Sequence, residues 1–232
     1  MKNIRNYLLL LFLFVTANNS YSQQWLLSGN SSTNPPSDFL GTTDANPLVL
    51  KVNKVKAGWL DYDAAIANSS FGFASLYSIS RGSFNAAFGY NALYTDTSGS
   101  YNTAAGHSAL YYNLSSYNTA LGYSSLFSNT YGRYNTAAGF QALFSNTTGN
   151  NNTASGVNAL QFNTTGYQNS ADGYLALDSN TTGYYNSSVG ASSLKSNTTG
   201  FGNTFIPVLL LKMTTLVSLY LYAPPISTCL KR

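Results

Sequence analysis

Few residues of this chain are equipped for chemistry. His107 is the only histidine and Cys229 the only cysteine in 232 residues. A Ser-His-Asp triad would have to run through His107, and no nucleophile-elbow sequence accompanies the abundant serines. His107 also occupies a position held by aromatic residues in other units, so it reads as a member of that column rather than as a base. Asp172 and Asp178 replace residues that are Ala or aromatic in most other units. No two carboxylates recur together, as glycosidase chemistry requires. One cysteine permits neither an internal disulfide nor a cysteine-based metal site. The Gly-Gly-x-Gly-x-Asp calcium repeat is missing. Asn-x-Thr triplets such as Asn146-Thr147-Thr148 match glycosylation sequons, but the repeat itself forces them. The expectation is a protein without catalysis, cofactor or metal.

Composition points the same way. Charged residues make up 8%, against roughly 25% in an ordinary soluble chain. The formal net charge of +4 comes from the two ends of the chain. Between them, Lys51, Lys54, Lys56, Arg81, Arg133 and Lys195 face Asp38, Asp44, Asp61, Asp63, Asp96, Asp172 and Asp178. That body is nearly neutral and lacks the clustered positive charge of a nucleic-acid footprint. The many aromatic residues argue against disorder.

The elements that hold these residues follow from a period. Gly recurs at Gly72, Gly89, Gly106, Gly122, Gly139, Gly156, Gly173 and Gly190. Each step is 17 residues except the 16 from Gly106 to Gly122. Four residues after each Gly stands Leu76, Leu93, Leu110, Leu126, Leu143, Leu160, Leu177 or Leu194, always preceded by Ala or Ser. Four residues before each Gly stands an Asn, from Asn68 to Asn186. A second Gly closes most units, as at Gly82, Gly132 and Gly149. The consensus reads Asn-Thr-Ala-x-Gly-x-x-Ala-Leu-x-x-Asn-Thr-Thr-Gly-x-x. The one-residue deletion falls between Leu110 and Asn118, where a turn tolerates it.

Helical repeats need about 33 residues or more, and Gly and Asn favour turns over helix. Two short strands and two turns per unit fit the pattern. One Leu and two or three small residues cannot fold alone, so the units must stack. The fold class is therefore all-β: a parallel β-roll or β-solenoid of about eight 17-residue rungs. At about 4.8 Å per rung it would span roughly 35–40 Å. Equal positions then form columns. Leu makes the core, and Asn makes amide ladders. Aromatic columns follow Gly (Phe73, Tyr90, Tyr123, Phe140, Tyr174) and Leu (Tyr77, Tyr94, Tyr111, Phe127, Phe144). The period alone leaves open which aromatic column faces inward.

Residues 1–22 read as a secretory signal peptide. Lys2 and Arg5 precede the apolar run Leu8 to Val15, and Ser20 and Ser22 mark a cleavage before Gln23. The run is shorter than the ~20 residues of a membrane helix. Residues 23–66 form a lead-in segment, 67–204 the repeats, and 205–232 an aberrant apolar tail. In the tail, Lys212 would cost about 3 kcal/mol at the centre of a membrane helix. The tail therefore reads as an anchor, as a cap on the last rung, or as a reading-frame slip. The slip is favoured: codons for Leu210 to Thr215 can be chosen so that a shifted frame reads Ala-Glu-Asn-Asp-Asn.

The motif Asn-Thr-Ala-x-Gly, as in Asn102 to Gly106 and Asn135 to Gly139, resembles the head repeats of trimeric autotransporter (YadA-like) adhesins and related bacterial fibre proteins. The resemblance covers about residues 67–204. The lead-in residues Trp25, Gly29-Asn30, Phe39 to Asp44, Pro47-Leu48 and Lys51 to Asn53 resemble the start of tail-fibre-like surface proteins. The unit is longer here than in those heads, and residues 205–232 match neither a coiled coil, a self-cleaving chaperone domain nor an anchoring barrel. The resemblance implies a left-handed parallel β-roll, a homotrimer, a bacterial cell-surface location, and host, matrix or glycan ligands met by exposed tyrosines. Membrane contact is expected only if the tail is an anchor. Two other classes remain open. One is an ice-binding solenoid built on the Thr103, Thr119, Thr136, Thr153 and Thr147, Thr164, Thr181, Thr198 columns, tested by thermal hysteresis. The other is a non-catalytic glycan-binding module. A polysaccharide-processing enzyme would need recurring acids and Arg clusters that the repeats lack.

Overall fold

The computed structural model describes residues 46–61 and 63–206. Residues 1–22, read above as a signal peptide, the lead-in residues up to Ala45 and the tail from residue 207, Cys229 included, lie outside the described residues. The described chain is all β. A hairpin, β1 (Leu48–Val52) and β2 (Val55–Leu60), comes first. Eight three-residue strands follow at the repeat spacing: β3 (Ser69–Phe71), β4 (Ala86–Phe88), β5 (Thr103–Ala105), β6 (Thr119–Leu121), β7 (Thr136–Ala138), β8 (Thr153–Ser155), β9 (Ser170–Asp172) and β10 (Ser187–Val189). A short β11 (Thr204–Phe205) pairs with β10. Strands β3 to β11 form one parallel ladder in sequence order, a β-solenoid of about eight turns.

The register places equals on equals: Ala104 opposes Ala120, Ala120 opposes Ala137, and Ala137 opposes Ala154. The middle residue of each strand points inward, and Ala87, Ala104, Ala120, Ala137 and Ala154 have no exposed surface. Leu76, Leu93, Leu110, Leu126, Leu143, Leu160 and Leu177 are also fully buried. Leu194 in the last complete turn is only partly covered. The apolar core is thus one column of Leu flanked by columns of Ala.

Two strands per unit were expected, and the turn has only one. The Leu side does not alternate as a strand does. Asn91 and Leu93 have φ of 54° and 51°, and the same two positions repeat this left-handed geometry in every turn. Left-handed residues at these places put adjacent side chains on one face, which explains why Ala92 and Leu93 are both fully buried. Regular strand geometry would send them to opposite faces. The backbone of this side still bonds turn to turn, as in Leu93 N–H to Ala109 O at 3.0 Å and Asn91 N–H to Phe73 O at 3.0 Å.

The hairpin covers the first turn. Its two-residue turn, Asn53–Lys54, has φ of 47° and 65°, the geometry that suits strand twist. β2 runs antiparallel to β3, with Trp59 opposite Ser70. In inner turns the N–H groups of the Gly and the second residue after it bond to the preceding turn. In the first turn Gly72 N–H bonds Ala57 O at 2.8 Å and Ala74 N–H bonds Lys56 O at 2.8 Å. The Lys56 ammonium donates to Leu76 O and lies 4.9 Å from the Trp59 ring centre. An antiparallel hairpin thereby closes an edge that would otherwise offer unpaired backbone.

Two buried polar columns flank the Leu core. In the first, each Asn side-chain oxygen accepts the backbone N–H of the Asn one turn on, as in Asn152 N–H to Asn135 Oδ1 at 3.0 Å. Its amide nitrogen donates to the closing carbonyl of its turn, as in Asn135 Nδ2 to Gly149 O at 2.8 Å. The second column runs Asn113, Asn129, Asn146, Asn163, Asn180, each Nδ2 donating back to the Oδ1 before it, as in Asn146 to Asn129 at 2.8 Å. The shortened turn preserves this. Ser115 O takes the place of a closing Gly carbonyl and accepts from Asn102 Nδ2 and Asn113 Nδ2 at 2.8 and 2.7 Å. The deletion is absorbed at the corner, and strand register is untouched.

Asp96 begins the second column, and its position suits an acid. The preceding residue in the column is Ile79, which offers no acceptor. A carboxylate needs none. It accepts Gly99 N–H at 2.6 Å, Ser98 N–H at 3.1 Å, Asn113 Nδ2 at 2.8 Å and Asn102 Nδ2 at 3.4 Å. Burial pushes its carboxyl above the ordinary value of 3.8, against the pull of Asn113, Gly99 and Ser98. A raised folded-state pKa gives stability that is complete below the unfolded value and is lost as pH rises through the folded one. Unfolding titrations from pH 7 towards pH ~4 are therefore expected to show Asp96 favouring the folded state increasingly. Asp96→Asn flattens that slope. An unchanged slope in the variant would assign the dependence to another acid, such as Asp178.

Candidate functional site

The outer surface carries the columns that the core does not use. Phe73, Tyr90, His107, Tyr123 and Phe140 form one continuous stack, with ring centres 5.0–5.7 Å apart and planes within 17°. Tyr77, Tyr94, Tyr111, Phe127 and Phe144 form a second, at 5.1–5.2 Å. Both aromatic columns face outward, which settles what the period left open. A third column, Phe84, Tyr101, Tyr117 and Tyr134, stacks at 4.9–5.0 Å. It was not singled out in the sequence, although its signal is there: the residue before the repeat Asn is aromatic in four consecutive units. These third-column residues have φ between 57° and 65°, a costly geometry for bulky side chains. Offset stacking is worth about 0.5–1.5 kcal/mol per pair beyond burial, which offsets part of that cost.

His107 lies in the first stack, between Tyr90 and Tyr123, and its Nδ1 is 3.0 Å from Ser108 Oγ. Among the described residues no carboxylate is hydrogen-bonded to the ring. Asp172 is exposed on β9. Asp178 falls in the second aromatic column, beyond its aromatic part, between Gln161 and Lys195. Burial raises its carboxyl pKa and Lys195 lowers it; its Oδ1 is buried without a hydrogen-bond partner. Burial and the phenols Tyr112, Tyr94 and Tyr90 hold the Tyr111 hydroxyl above its ordinary value. Among the described residues, no three His, Cys, Asp or Glu side chains gather as metal ligands.

The Gly column lies where turns approach backbone to backbone, and the Leu column is the core; neither reaches a surface site. The two threonine columns differ. Thr147, Thr164 and Thr181 hydroxyls donate to the next turn's backbone at 3.1 Å, so they belong to the scaffold. Thr103, Thr136 and Thr153 are exposed on the strand face, with Thr119 half-buried. A cleft of about 380 Å³ between hairpin and first turn is lined by Trp59, Asp61, Ile66, Ile79 and Arg81, among others. Among the described residues, the Asp61 side chain there accepts a long 3.5 Å contact from Trp59 Nε1.

The surface is therefore a set of parallel aromatic stripes. Within each stripe ring faces are turned towards neighbours, so edges and hydroxyls meet the solvent. Stacking a sugar flat onto an inner ring is blocked; hydrogen bonding to the row of hydroxyls is not. No protein-family model, curated protein or solved structure matches this chain.

Proposed function

We propose that the protein is a secreted, non-catalytic adhesive or fibre-like module of a bacterial cell surface, acting as the protomer of a homotrimer. The observation supporting this is the repetition of one outward pattern over successive turns: Tyr101, Tyr117 and Tyr134 are 50%, 44% and 55% exposed in one unbroken line. Such a surface suits a long, repetitive partner. Each contact is weak, and many engaged at once supply strength. Host protein matrix or glycan chains are the ligand classes, held chiefly through tyrosine hydroxyls and ring edges.

The test is mass in solution together with binding of the full chain to matrix proteins and glycans. Three chains per particle and a retention that falls stepwise in Tyr101→Ala, Tyr117→Ala and Tyr134→Ala are expected. A monomer that binds neither cells, matrix nor glycans removes the proposal. The exposed Thr103, Thr136 and Thr153 keep one alternative in view, an ice-binding face, which absence of thermal hysteresis eliminates.

A further inference from the structure

We infer that the stacked tyrosines are sites of oxidative coupling, which would join successive turns covalently as dityrosine. Five tyrosine pairs lie in register on adjacent turns. Tyr101–Tyr117 and Tyr117–Tyr134 have ring centres 5.0 and 4.9 Å apart and planes 4° and 9° apart. Tyr77–Tyr94 and Tyr94–Tyr111 lie at 5.2 and 5.1 Å, and Tyr167–Tyr184 at 4.8 Å with planes 3° apart. Along each stack the next residues form no phenoxyl radical: Phe84 precedes Tyr101, Asn151 follows Tyr134, and Phe127 follows Tyr111. The tyrosines that stand beside the stacks, Tyr112 at 4.7 Å from Tyr111 and Tyr185 at 5.4 Å from Tyr184, meet them edge-on rather than face to face. The rings are partly open to solvent, so an oxidant reaches them, while the backbone ladder holds each pair together.

The chemistry balances with hydrogen peroxide and a haem peroxidase as the one-electron oxidant. Each of two phenols gives up one electron and one proton, leaving a phenoxyl radical with spin at its ortho carbons. Two ortho carbons on neighbouring rings form a carbon–carbon bond. The two ortho hydrogens then shift to the oxygens and restore both phenols. The two electrons and two protons released reduce one peroxide to two waters. The chain loses two hydrogens per link. Holding the reacting rings at fixed separation is the advantage an intramolecular reaction has over encounter.

The protein carries its own controls. Tyr131 and Tyr174 are as exposed as any stacked tyrosine, at 64% and 55%, yet neither stacks on another ring among the described residues. Exposure alone would oxidise them first; proximity would leave them uncoupled. Tyr117→Phe is a second control, because Phe already occupies stacked positions at Phe84 and Phe127.

The dilute full chain, treated with limiting peroxide and horseradish-type peroxidase, is expected to gain dityrosine fluorescence while migrating as a single chain under denaturing conditions. Mapping of cross-linked peptides is expected to return Tyr101–Tyr117, Tyr117–Tyr134 and the other stacked pairs. Tyr117→Phe removes the first two links and keeps those of Tyr77–Tyr94–Tyr111 and Tyr167–Tyr184. Unfolding the chain in urea before oxidation lowers the intrachain yield at least about tenfold, by loss of proximity. Links that are mainly between chains, that involve Tyr131 and Tyr174 as often as the stacked pairs, or that survive unfolding at equal yield overturn the inference.

Discussion

Gly156→Ala is expected to unstack the solenoid between its sixth and seventh turns. Gly156 has φ of +132°, and a Cβ there would lie 2.5 Å from the carbonyl oxygen and 2.6 Å from the carbonyl carbon of Gly173. Both obstacles are backbone, so no rotamer change relieves them. The turn below is held by Leu160 N–H to Ala176 O at 3.0 Å and by Asn169 N–H to Asn152 Oδ1 at 3.0 Å. Opening the gap by the ångström the methyl needs would break several such bonds together. The loss is expected to exceed about 4 kcal/mol, a range to which backbone strain and core disruption belong. Gly202→Ala is the matched control. Gly202 has φ of +66° but nothing within 4 Å of its added Cβ, so only the left-handed penalty of about 1–2 kcal/mol remains. Denaturant unfolding of the two variants separates them, and hydrogen exchange locates the damage. Equal stability in both would mean that the turns are not packed at this distance.

Asn135→Asp is expected to be nearly as damaging, although Asp is tolerated in the neighbouring polar column. The Asn135 amide nitrogen donates to Gly149 O at 2.8 Å and to Asn118 Oδ1 at 3.3 Å. A carboxylate oxygen in its place would face two acceptors in a fully buried setting. Removing two donors and burying an unpaired charge should cost about 3–5 kcal/mol at neutral pH. Acid should restore much of it, because a protonated carboxyl regains one O–H to donate. Asp96 escapes the penalty through its place in its own column. It has Ile79 before it and only donors around it. The ladder has a direction, amide nitrogen pointing back and oxygen pointing on, so an acceptor-only residue fits at its beginning and nowhere inside. A thermal melt of Asn135→Asp at neutral and acid pH reads both halves of this claim. A variant as stable as the parent at neutral pH would show that the ladder is not closed to water.

Both expectations rest on columns, and the columns were legible in the sequence because the period is nearly unbroken. Spacing alone identified the Leu column from Leu76 to Leu194 as core, of which all but the partly covered Leu194 are fully buried, the Asn series as amide ladders, and the deletion between Leu110 and Asn118 as a corner event. Stacking in register needs only that equal residues recur at equal distance, and a period contains that information. What lies beyond the period had to come from three dimensions. The unit has one strand because left-handed backbone at positions such as Asn91 and Leu93 turns Ala92 and Leu93 inward together, and no residue type there announces a positive φ. The aromatic columns all face outward because the Leu and Ala columns already fill a narrow core. The direction of the ladder, and hence the fitness of Asp96, depends on which amide atom faces which neighbour. The β1–β2 hairpin closes the first turn by antiparallel pairing that no repeat encodes. Recurrence told which residues meet; backbone handedness and hydrogen-bond direction decided how they face one another.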